Sequence, residues 1–138
     1  MKFNNKNGTA IVEFAIVLPF LLLLLMGIIE FSLILYDKAV LTNASREGAR
    51  AGIVSQNPRV TDGEIQTIVK NYCRNFLITF GSDTLEDADI TILRAGLNFG
   101  DDLTVTVNYR YDFLVLPNFM TTALGPINLL AQTLMKFE

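Results

Sequence analysis

A chain of 138 residues has room for one small domain once a membrane segment is subtracted. Its net charge is −3, its acidic residues gather between Asp83 and Asp102, and no basic patch interleaved with aromatics offers nucleic acid a footing. Histidine is absent and Cys73 stands alone, which excludes an intrachain disulfide framework, thiolate zinc cages and histidine-based triads, so an enzyme is the weaker class from the outset.

The composition is 51% hydrophobic, and the excess sits between Phe14 and Leu35. Residues 1–8 are short, polar and basic through Lys2 and Lys6, and the run Ala15 to Ile29 then carries no charge. About sixteen residues separate Glu13 from Glu30, a helical rise of about 24 Å, which falls short of a hydrocarbon core of about 30 Å. A span over 9–36 supplies the length but brings Glu13 near or inside the apolar zone. Lysines ahead of the span favour a cytoplasmic N-terminus and an exported C-terminal part, here 37–138. A cleaved secretory signal needs a small-x-small site after its apolar region, and the continuing helical pattern offers none. A buried core helix needs neither a basic leader nor the leucine run Leu21 to Leu25, so a signal-anchor helix remains. Pro19 removes one backbone bond inside it and predicts a kink near Ala15–Pro19.

Glu13 is the informative residue, because a carboxylate at membrane depth costs about 2.5–3.5 kcal/mol and calls for a partner or a purpose. In one reading it sits at the cytoplasmic headgroup level. In the other, cleavage after Gly8 leaves Thr9 with a free amine about 6 Å along the helix axis, where it neutralises Glu13 of its own or a neighbouring helix.

Beyond Glu30 the helix turns amphipathic and is predicted to end near Val54–Asn57, ahead of Pro58. Ala44, Gly48 and Gly52 form a stripe of small residues that lets another chain segment approach closely. Each glycine gives up about 1 kcal/mol of helix propensity relative to alanine, so the stripe needs a packing reason. The chain's own domain is the favoured receiver, a neighbouring subunit the alternative. A second helix starts at Thr61 or Asp62, presents Ile65, Ile68, Val69, Tyr72, Cys73, Phe76, Leu77 and Phe80 on one face, and ends at Gly81. Cys73 on that face reads as a small buried hydrophobe, with an intermolecular disulfide as the alternative. The period then changes to two: Asp89 to Arg94, Leu103 to Phe113 closed by Pro117, and a last strand opened by Gly125-Pro126, in which Ile127, Leu129, Ala131, Thr133, Met135 and Phe137 share a face. The predicted class is α+β, a long N-terminal transmembrane and amphipathic helix and a second helix covering a small antiparallel sheet of about three strands.

Gly8-Thr9-Ala10-Ile11-Val12-Glu13-Phe14 resembles the prepilin peptidase site of the tight-adherence (Tad/Flp) pilus system. With Pro19, Glu30-Phe31 and Asn43-Ala44-Ser45-Arg46-Glu47-Gly48-Ala49-Arg50, the stretch from Asn7 to Gly52 looks like the TadE-like pseudopilin family. The resemblance implies cleavage after Gly8 by a membrane prepilin peptidase, an assembly role for Glu13 and Phe14, and an accessory or minor-pilin role in pilus assembly or adhesion. The implied partners are that peptidase, other pilin-type subunits, assembly-platform proteins and the membrane. The alternative is a signal-anchored exported domain that binds an envelope partner outside any pilus machine. No cofactor, metal, nucleic acid or small-molecule substrate is expected: Asp83, Glu86, Asp87, Asp89, Asp101 and Asp102 lack EF-hand spacing, and Ser32, Ser45, Ser55 and Ser82 lack a histidine.

Overall fold

The computed structural model describes residues 6–55, 57–79 and 85–137. Most of the leader (1–5), and the roles expected of Phe80, Gly81 and Asp83, lie outside the described residues.

Helix α1 (Lys6–Ile53) is a single element of 48 residues that passes through Pro19 without a break. No residue from Gly8 to Ile29 is buried. Burial begins at Glu30 and returns at Asp37, Leu41, Ala44, Gly48 and Gly52, one face met at steps of three, four or seven residues. The N-terminal half of α1 is therefore bare, and the C-terminal half belongs to the domain core.

Helix α2 (Asp62–Phe76) starts on a capping box, with Thr61 Oγ1 accepting from the Glu64 amide and Glu64 accepting from the Thr61 amide. Ile65, Val69 and Cys73 are its buried residues. It ends at Phe76, short of the expected Gly81, for a visible reason. The Leu77 amide still bonds the Cys73 carbonyl, but the next amide, Ile78, donates to Asp37 Oδ1 of α1 at 3.1 Å. Phe76, expected on the buried face, stands half exposed against Tyr72 at the end of the helix.

A 3-10 turn (Asp87–Asp89) leads into β1 (Ile90–Arg94), which pairs antiparallel with β2 (Asp102–Tyr111), itself antiparallel to β3 (Ile127–Lys136). Strand order is β1-β2-β3. Leu103, Val105, Val107, Tyr109 and Tyr111 face the core, as their alternation predicts, and Leu129, Ala131 and Phe137 join them. Ile127, expected on that face, is 37% exposed at the strand's first position. β2 stops at Tyr111, two residues before the predicted Phe113, because the following amides turn to a side chain of α1. Between β2 and β3 the chain forms a short helix, α3 (Asn118–Leu124), which sequence reasoning did not anticipate. It is uncharged and too short to show a period.

The domain is thus two layers, α1 and α2 on one face of a three-stranded sheet. At the end remote from the bare helix, the Phe137 ring lies beneath Arg59 and Arg94, 5.0 and 5.8 Å from centroid to guanidinium carbon. Arg94 also bonds Asp62 at 2.7 Å, so the start of α2 and the end of β3 are fastened together.

Candidate functional site

Gly8, Thr9, Glu13 and Phe14 all lie on the exposed N-terminal stretch of α1, which the domain does not reach. Their neighbours are apolar and exposed as well, among them Ile11, Val12, Ile16, Phe20 and Leu24. A helix presenting apolar side chains on every face is built for lipid or for other helices. It is long and apolar enough to cross a membrane.

The small-residue stripe is used inside the chain. A β-carbon added at Gly48 would lie 2.5 Å from Val69 Cγ2 and 3.3 Å from Ile65 Cγ2. At Gly52 it would lie 2.5 Å from Leu103 Cδ2 and 2.6 Å from Ile65 Cδ1. Both glycines therefore admit α2 and β2 to the backbone of α1, and Ala44 is fully buried on the same face.

The junction between bare helix and domain is built on Glu30, which is 2% exposed. Its Oε1 accepts from Tyr111 Oη at 2.6 Å and the Leu114 amide at 2.9 Å. Its Oε2 accepts from the Val115 and Leu116 amides at 2.7 and 3.0 Å. Three successive backbone N–H groups converging on one carboxylate form a nest, a pocket of oriented dipoles that holds an anion without a cation. A buried carboxylate is expensive unless its lone pairs are filled, and four donors fill them here. These are the amides a longer β2 would have offered to a neighbouring strand. Burial, and then the bond to Glu30, push the Tyr111 phenol above its ordinary range, so it stays a proton donor.

Asp37, two turns further on and fully buried, is a different case. Oδ1 accepts from Ile78, but Oδ2 has no partner among the described residues. Burial raises its pKa, and the Ile78 bond offsets that only in part. Burial, with Asp37 nearby, in turn pushes the Cys73 thiol up to about 12, which makes it an inert packing group.

From the sequence, Glu30 reads as a span boundary and a motif letter and Tyr111 as a core-face residue of β2, with nothing to join them, and Asp37 goes unmarked. A signal was present: Glu30 lies seven residues before Asp37 and fourteen before Ala44, on the face that carries the small stripe. The acidic residues of the turns are engaged locally. Asp87 pairs with Lys70, Asp102 with Lys136, Asp89 accepts from the Glu86 amide and Asp101 from the Asn98 amide. Among the described residues no three His, Cys, Asp or Glu side chains gather as metal ligands.

A family model described as TadE-like protein matches residues 8–50. The match takes in Gly8, Glu13, Glu30, Ala44 and Gly48, and stops before α2 and the sheet. No curated protein and no solved structure matches the chain.

Proposed function

We propose, from the TadE-like match over residues 8–50, that this protein belongs to a Tad pilus system as an accessory pseudopilin, or minor pilin, that acts through helix packing and catalyses nothing. Prepilin peptidase removes residues 1–8, the bare half of α1 anchors the chain in the cytoplasmic membrane, and the domain is exported. The anchor then packs with other pilin-type helices and with the assembly platform, in pilus assembly or adhesion, with Glu13 as counter-charge to the Thr9 amine. The observation that carries this reading is the family match over a stretch whose processing motif stands on exposed helix, clear of the domain and open to a peptidase and to neighbours.

Intact-mass analysis of the protein from native membranes tests it. The expected N-terminus is Thr9, and recovery of only full-length chains from cells that carry the peptidase would sink the pseudopilin reading. Glu13→Gln separates assembly from anchoring. Membrane level and cleavage should be normal, whereas co-purification with other pilus proteins and surface piliation should be lost. Normal piliation in that variant would reduce Glu13 to an interfacial residue and favour an anchored domain that works outside the pilus.

A further inference from the structure

The connection between β2 and β3 carries a surface the fold leaves unexplained. From Phe113 to Met135 the chain has no charged residue. Within the connection, Phe119 is 69% exposed and Leu124 60%, and neither contributes to the core. Large apolar groups set this far into solvent, on a segment without a single charge, call for a partner.

Their position identifies the partner. Leu103 at the start of β2 packs at Gly52, and Tyr111 at its end bonds Glu30. β2 therefore runs back along α1 toward the bare helix. Its rise over those eight steps, about 26 Å at 3.3 Å each, is comparable with the rise of about 33 Å over the matching stretch of α1. Tyr111 pairs with Ile127, so the connection leaves and re-enters the sheet at this end. The amides of Leu114, Val115 and Leu116 hold its first part on Glu30. Gly8 to Ile29, the stretch of α1 with no buried residue, rises about 33 Å, against about 30 Å for a hydrocarbon core. With that stretch, rather than 9–36, as the span, Glu30 and the connection fastened to it fall at the outer edge of the core, at headgroup level. On the side of α1 turned away from the domain, Phe31, Leu35 and Tyr36 are exposed within about 9 Å beyond that level along the helix.

We infer that the 113–124 segment is a second membrane contact, in which Phe119 and Leu124 enter the outer-leaflet interface beside α1 and hold the domain down on the bilayer. The occupant is lipid rather than protein because the segment leaves and re-enters the sheet at the end nearest the membrane anchor, held on Glu30 where the bilayer ends. Aromatic and aliphatic side chains on an uncharged segment suit that depth. The Glu30 nest then has a further consequence. It fixes the height of the segment relative to the span, so that anchor and interfacial contact engage together. The inference rests on the membrane anchor proposed above, and the test keeps the two apart.

The protein contains no tryptophan, so one introduced indole reports its own position. The full chain is reconstituted in phosphatidylcholine–phosphatidylglycerol vesicles whose lipids are brominated either near the headgroup or deep in the acyl chain. Four variants are compared: Phe20→Trp on the bare helix, Phe119→Trp, Leu124→Trp, and Phe99→Trp in the β1–β2 turn at the opposite end of the domain. Phe20→Trp should be quenched best by the deep bromines. Phe119→Trp and Leu124→Trp should be quenched several-fold better by the shallow bromines than by the deep ones, with blue-shifted emission. Phe99→Trp should respond only to aqueous quenchers. If Phe20→Trp is quenched while Phe119→Trp and Leu124→Trp both behave like Phe99→Trp, the anchor stands and the membrane contact is refuted, leaving the surface to a protein neighbour. If Phe20→Trp itself is unquenched, the anchor fails and the inference falls with it. Because Phe119 and Leu124 are both mostly exposed, the indole is accommodated without disturbing the core, and agreement between the two guards against an accident at one of them.

Discussion

Removing the Glu30 carboxylate should destabilise the domain where it meets the bare helix, and the size of the effect follows from what is left behind. Glu30→Ala strands four donors. The Tyr111 hydroxyl is fully buried and cannot reach water, a loss of about 1–3 kcal/mol. Leu114, Val115 and Leu116 are only half-buried, so their amides recover part of their bonding from solvent and contribute less than the full amount each. The sum is about 3–5 kcal/mol, a large share of the roughly 5–15 kcal/mol that holds a domain together. At about 4–8 °C per kcal/mol for a domain of this size, the melting temperature should fall by about 12–40 °C. Glu30→Gln sharpens the test, since it keeps shape and volume but sets an NH2 against amide donors, and it should also destabilise, though less. Tyr111→Phe removes one donor, and a double-mutant cycle with Glu30→Ala should show a coupling of about 0.5–3 kcal/mol. The assay is thermal unfolding of the full chain in detergent micelles, followed by the near-ultraviolet tyrosine signal. A Glu30→Gln protein that melts with the parent refutes the nest as a stabilising device.

Gly52→Leu and Gly48→Leu should each destabilise the domain by about 1–3 kcal/mol in the same assay, because a β-carbon alone already meets Val69, Leu103 or Ile65 at 2.5–2.6 Å, while leader removal stays normal. Asp37→Asn keeps an acceptor for Ile78 and removes a buried charge, so it should raise the melting temperature at neutral pH. The sign follows from the raised folded pKa: the stability linked to Asp37 is fully present below the ordinary aspartate value of 3.8 and is lost as pH rises through the folded value, so the advantage of the variant should vanish in acid. A variant that melts below the parent at neutral pH would show that the carboxylate is better satisfied than its geometry indicates. Cys73, with its thiol pushed up to about 12, is roughly one part in ten thousand thiolate at pH 8 and should resist iodoacetamide until the domain unfolds. Alkylation of the folded chain at the rate of an exposed thiol would contradict this.

Period and punctuation in the sequence were enough for the α+β class, the bare apolar helix, a second-helix cap at Thr61 or Asp62 and the core face of β2, since each depends on residues close together in the chain. The small stripe was legible too, and its propensity cost announced that something packs there. The chain's own domain was the favoured partner, but which residues fill the stripe was not legible, because Val69, Ile65 and Leu103 reach Gly48 and Gly52 only through the fold. The misjudged boundaries share one origin. α2 stops at Phe76 because Asp37, far away in the chain, takes the Ile78 amide. β2 stops at Tyr111 because Glu30 takes the amides of Leu114, Val115 and Leu116. No local pattern encodes a backbone donor captured by a carboxylate some forty or eighty residues earlier. Nor does a seven-residue uncharged segment such as α3 announce itself as a helix. Tertiary contact alone settles these points, because a buried carboxylate must collect donors from whichever part of the chain the packing brings to it.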